Sequence, residues 1–231
     1  MLNYFFVDWT AVLATVNAQV SRLTELEREF NTSEYDIWTE KGRTADEQSD
    51  FKKSLIKYYK RGPGTRFWQY GKLKCMVTNE WFSADLVIAS HIWMTKTRGK
   101  GLSMFGLSVA DLNNERNGFL MLKDIEDAFD KKQVCILYQP FGAVATRVFL
   151  IKVLDPSIMD KTITGTLKTF ASINMTQLNM PNNKFPYRRL LSFHARCSYK
   201  RARDMGWIEA SEVFDEYFHL SETASNSETY T

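Results

Sequence analysis

Four residues in one stretch of the chain have the types and spacing of a hydrolytic centre: His91, Asn117, Glu126 and Asp130. Hydrolysis of a phosphodiester needs a base to deprotonate water, a cation to stabilise charge on the phosphate and leaving oxygen, and a group that holds the base in place. His91 closes the run from Asp85 to Ile92 (DLVIASHI), a strand-like segment feeding a loop rich in Gly, Lys and Ser, where an accessible base belongs. The chain has three histidines in all, and His194 and His219 read as incidental. Asn117 stands just ahead of Gly118, and its amide is suited to fixing a backbone or ring orientation. Glu126 follows nine residues later and Asp130 four after that. On a helix these carboxylates share a face with Cβ atoms roughly 6 Å apart, close enough to share a divalent ion. Ligation by oxygen alone favours Mg2+ or Mn2+ over zinc.

Periodicity predicts the elements that must position these groups. Val12, Leu13, Val16, Val20, Leu23 and Leu26 recur at three- and four-residue spacing, which predicts an amphipathic helix over 9–31. A second helix is expected over 44–60, with Ala45, Phe51, Leu55, Ile56 and Tyr59 on one face and the breaker Arg61-Gly-Pro-Gly64 at its end. Leu73–Thr78 and Asp85–Ile92 read as the two strands of a hairpin. After the loop over 95–117, Gly118–Lys131 (GFLMLKDIEDAFDK) reads as one helix, from Leu122, Ile125 and Phe129. Strands are expected at Val134–Tyr138 and Ala145–Val153. Helical pieces broken by Pro181 and Pro186 follow over 156–218, among them a helix over 187–204 with one side crowded by Arg and Lys. The tail 221–231 is polar and aperiodic, which predicts mobility.

Composition narrows the class. At 44% hydrophobic and 14% aromatic the chain has too much apolar surface to stay unfolded in water, so a globular protein is expected. A net charge of +3 neither demands nor excludes an anionic partner, so placement decides. Between 52 and 74 stand eight Lys or Arg, including Arg61, Arg66, Lys72 and Lys74, and no acid; Tyr58, Tyr59, Phe67, Trp68 and Tyr70 interleave with them. Such a run suits a phosphate backbone with aromatics stacking on bases, or equally a solvated helix face over core aromatics. Arg98 and Lys100 stand in the loop after His91 and are better placed for phosphate contact. Three scattered cysteines suit neither a disulfide framework nor a zinc cluster and point to a reducing compartment, nucleus or cytoplasm. No membrane contact is expected, because no apolar run approaches a span.

Three segments carry a family resemblance: Cys75-Met-Val-Thr-Asn79, the run ending Ala89-Ser-His-Ile92, and Asn117 through Asp130 (NGFLMLKDIEDAFD). Over about 72–140 the chain resembles HNH nuclease domains of fungal and other microbial eukaryotic proteins. The resemblance implies His91 as general base, Asn117 as the central Asn and Glu126 at the place of the final His. Two residues depart from the pattern: Glu126 replaces that His, and Ser90 stands where related nucleases often carry a second ligand. A carboxylate is a competent ligand for a hard cation, and Asp130 or water can complete the shell.

The expectation is therefore an α+β protein: a helical arm at 1–71, a ββα-metal (HNH) core at 72–153, a helical segment at 154–220 and a tail at 221–231. The expected activity is Mg2+-dependent cleavage of DNA leaving 3′-hydroxyl and 5′-phosphate ends, as the resemblance implies, with RNA as a possible substrate. The competing expectation is a non-catalytic nucleic-acid-binding or interaction module that kept the ββα shape and lost full metal ligation.

Overall fold

The computed structural model describes residues 9–31, 45–62, 70–141, 146–181, 183–209 and 211–212. Arg66, the Pro-Gly of the predicted breaker and the tail 221–231 lie outside these. The chain divides into two units, Met1–Thr39 and Glu40–Thr231. The described part of the first is one helix, α1 (Trp9–Asn31), on which Val12, Leu13, Val16 and Val20 are exposed.

In the second unit, helix α2 (Ala45–Tyr58) has acids in its first turn and Lys57 in its last, the distribution that complements the helix dipole. It turns Phe51 and Leu55 inward, with Tyr59 buried just beyond its end. Strand β1 (Lys72–Lys74) pairs antiparallel with β2 (Trp81–Ser83), and β3 (Val87–His91) pairs antiparallel with β4 (Gly118–Leu122). Two expectations are corrected here. The partner of the strand ending at His91 is β4, reached across residues 92–117, and not the segment 73–78; the local hairpin is the shorter β1–β2. Gly118–Leu122 is also strand rather than the first turns of a helix, because all five residues are buried and an uninterrupted apolar run suits a strand covered on both faces.

Helix α3 (Lys123–Asp130) begins only where charge returns to the sequence, and it packs on β3 and β4 through Ile125, Ala128 and Phe129. The order is thus strand, long connection, strand, helix. Strands β5 (Val134–Phe141) and β6 (Thr146–Val153) form the expected hairpin. The predicted helical region after residue 156 is sparser than expected: among its described residues it holds a single turn at Pro156–Ile158, the short α4 (Phe170–Ile173) and the long α5 (Arg188–Asp204). Helix α5 lies on β5, where Ala195, Tyr199 and Ala202 close over Cys135, Leu137 and Leu154. All three cysteines are buried thiols.

Gly118 has a packing reason. Its backbone is extended, but a Cβ there would stand 2.6 Å from the Phe51 ring and 2.6 Å from the Ser90 carbonyl oxygen. The ring can shift; the carbonyl of a paired strand cannot without breaking the ladder. Gly118→Ala is expected to cost at least about 2 kcal/mol in chemical denaturation. A loss below about 0.5 kcal/mol would show that the strands separate easily at this point.

His194, which reads as incidental in the sequence, is part of the core. It lies buried in α5, stacked on Phe129 with ring centroids 3.8 Å apart, with Nε2 3.2 Å from the Phe129 carbonyl oxygen. Burial, and then the nearby Lys132 charge, push its pKa down to about 3, against the pull of the Phe129 carbonyl. The unfolded chain takes up this proton near pH 6.5 and the folded chain does not. Stability is therefore complete above pH 6.5 and falls as pH drops from 6.5 toward 3, by about 2 kcal/mol at pH 5. Urea melts of the wild type and His194→Gln between pH 7 and 5 check this: the wild type should lose that increment and the variant most of its pH dependence.

Candidate functional site

His91 is the last residue of β3, directly opposite Gly118. The absent side chain at Gly118 leaves room for Phe51 from α2, whose ring stacks on the imidazole with centroids 3.8 Å apart and planes 20° from parallel. The ring is half-buried, covered by a helix that begins some forty residues upstream. No spacing rule connects Phe51 to His91; the apolar face of α2 was the only signal, and it marked a core position.

Asn117 is wholly buried and closes the long connection. Its Oδ1 accepts from the Trp93 backbone N–H at 2.8 Å, while its Nδ2 donates to the carbonyls of Leu112 (2.8 Å) and Trp93 (3.2 Å). Its own carbonyl accepts from Ile92 N–H at 3.0 Å. One side chain therefore ties together both ends of the connection, and the backbone it grips begins at Trp93, two residues beyond His91. An amide fits because it offers an acceptor and two donors together.

Glu126 and Asp130 stand four residues apart on α3, and their charges interact. Asp130 is exposed as a residue, yet the protein crowding its carboxyl, and second the Glu126 charge, push its pKa up to about 6. Glu126 is also held by Lys123, whose Nζ lies 2.7 Å from Glu126 Oε2 and 2.7 Å from Asp127 Oδ1. Hydrogen bonds to Asp127 and then Glu126 raise Lys123 above the ordinary lysine range, so its ammonium already supplies a positive charge at this carboxylate. Sequence reasoning passed over Lys123, although its i, i+3 and i, i+4 spacing to two acids was visible.

Ser90 faces the core. It is 1% exposed, and its Oγ has no hydrogen-bond partner among the described residues. Arg98 and Lys100 are exposed on the connection after His91. Lys72 is exposed and Lys74 half-buried on β1. Arg61 corrects the reading of the basic run: it is buried, donating to the backbone carbonyl of Asn179 and to its Oδ1 at 2.6 Å, so this guanidinium joins two parts of the fold instead of facing a phosphate.

With a histidine at a strand end, a buried asparagine gripping the next backbone, and a helix carrying acids on the paired strands, the comparison with known families becomes informative. Residues 75–137 match the family model of HNH endonucleases. No curated protein and no solved structure matches the chain. The HNH segment starts at β1's end and stops within β5, so it contains His91, Asn117, Glu126 and Asp130, while α2 and α5 lie outside it. The match supports a nuclease-type function and a nucleic-acid substrate for this segment.

HNH nucleases typically use divalent metal ions. Among the described residues no group of three or more His, Cys, Asp or Glu is gathered as a ligand set. The oxygen donors present nevertheless suit a hard divalent cation, which can be held by one or two carboxylates with waters for the rest of its shell. Glu126 and Asp130 are such a pair, and their mutual repulsion is what a cation would relieve. No helix among the described residues is long and apolar enough to cross a membrane.

Proposed function

We propose that the chain is a metal-dependent HNH endonuclease that hydrolyses phosphodiester bonds in DNA, built on a ββα-metal core of β3, β4 and α3. The observation that carries this reading is the placing of His91 and Asn117 at the two ends of one connection: a base at a strand end, with Trp93 two residues beyond it held through both its N–H and its carbonyl by one buried amide that also holds Leu112. In this mechanism His91 accepts the proton of the attacking water. Phe51 holds the ring from one face and Asn117 holds the segment that follows, so the base is in place before substrate arrives. Glu126 and Asp130 would hold Mg2+, or Mn2+, which supplies charge stabilisation at the phosphate. Arg98 and Lys100, exposed beyond the base, neutralise neighbouring phosphates; Lys72 and Lys74 extend that field.

A second reading has a specific observation behind it. Lys123 sits on Glu126 as a built-in counter-ion, which suits an HNH-fold module that binds nucleic acid without cutting. Supercoiled plasmid incubated with Mg2+, or with EDTA, separates the two. Nicking that needs the metal is the expected result. Duplex binding without nicking under either condition overturns the hydrolase reading in favour of the binding module.

A further inference from the structure

The start of α5 is electrostatically unusual. Arg188 and Arg189 occupy its first turn with no acid among them, and cations there oppose the helix dipole. Two more cations come to the same place. The backbone N–H of Tyr187 donates to the Arg116 carbonyl at 2.9 Å, and the Arg116 guanidinium lies over the Tyr187 ring, 4.6 Å from its centroid. Arg116 Nε and the Tyr58 hydroxyl both donate to the Phe185 carbonyl, and Lys184 lies over the Tyr58 ring at 4.9 Å. Arg188 in turn lies over Tyr138 at 5.3 Å. Three cations are thus set on tyrosine faces and the fourth, Arg189, is exposed beside them. Of the acids close by, Asp111 accepts from the Tyr187 hydroxyl at 2.6 Å and from Ser108 while also feeling the Arg116 charge, and Glu115 adjoins Arg116, which leaves the cations in excess.

The position of this cluster relative to His91 follows from α2. Phe51, stacked on His91, and Tyr58, beneath Lys184, are seven residues apart and so share one helix face, about 10 Å apart along the axis. Arg116 is two residues from Gly118, the partner of His91 in the sheet. About 10 Å is roughly three nucleotide steps of one strand. We propose that Lys184, Arg188, Arg189 and Arg116 form a track for the sugar-phosphate backbone of nucleic acid, running from the His91 site along α2 to the start of α5. Tyrosine faces orient the cations, and a phosphate relieves the charge they place against the α5 dipole. Lys184, Arg188 and Arg189 lie outside the HNH segment, so the track is an addition by the rest of the chain.

This inference rests on the nucleic-acid reading above, and its test is independent of cleavage. Fluorescence anisotropy with a 30-base-pair duplex in EDTA, across a series of salt concentrations, compares the wild type with K184Q/R188Q/R189Q. Each phosphate that the variant no longer neutralises should make the slope of log K against log salt shallower by about 0.9, so a change of about 2 to 3 and roughly tenfold weaker binding at 100 mM salt are expected. Arg189→Glu, at an exposed position, gives the same direction should the triple variant melt early. Unchanged affinity and slope in both variants overturn the track. Nicking by the wild type, measured separately, judges the hydrolase reading alone.

Discussion

His91→Ala should slow plasmid nicking by a factor of roughly 10² to 10⁴ while the protein stays folded, because a positioned general base contributes about that much. The side chain is half-buried at the end of β3 and stacked on the Phe51 ring, so its removal takes away that ring contact. Melting temperature and duplex binding in EDTA are the controls. With both preserved, the loss belongs to the chemical step. Nicking within threefold of the wild type would sink His91 as the base and leave any activity to another residue. His91→Gln keeps hydrogen-bonding atoms without imidazole basicity, so it should be nearly as inactive as the alanine variant.

Asn117→Ala should be the most damaging single change to the fold. It removes three hydrogen bonds, two of them fully buried, and it leaves the Trp93 N–H in a closed interior without its acceptor. Each bond contributes about 1 kcal/mol and the stranded donor adds roughly 1 to 3 more, so a loss of about 4 kcal/mol is expected in urea melts. That is a large part of the 5 to 15 kcal/mol typical of a domain. Asn117→Asp tests the two halves of the grip: its oxygen can still accept from Trp93 N–H, but both donations are lost and a buried charge is added, so it should fare no better than alanine. A loss below about 1 kcal/mol in both variants would mean that the connection is held by something other than this amide.

Local patterns were legible to the degree that local physics decides them. The helix over 45–58 follows from its apolar face, that over 188–204 from a side crowded with Arg and Lys, and the β5–β6 pair from apolar runs around a short turn. Partner choice for β3 was not legible, because its mate lies beyond a long connection and nothing in Val87–His91 names Gly118–Leu122. Gly118–Leu122 was misread for a related reason: an apolar run continuing into a helical pattern has no internal boundary until Lys123. The spacing of Glu126 and Asp130 could be read from the chain, but the engagement of Glu126 by Lys123 is a competition between partners that only coordinates resolve. Arg61 shows the same limit, since a guanidinium written among lysines looks like surface until Asn179, far along the chain, arrives to bury it.

The stacking of Phe51 on His91 bears on how portable the nuclease segment is. Residues 75–137, cut out and grafted elsewhere, would leave behind the ring that roofs the imidazole, and the glycine-sized gap that admits it would open to water. The segment cannot then be treated as a cassette: its His91 end is finished by a helix from outside it, and a transplant must carry α2 with it.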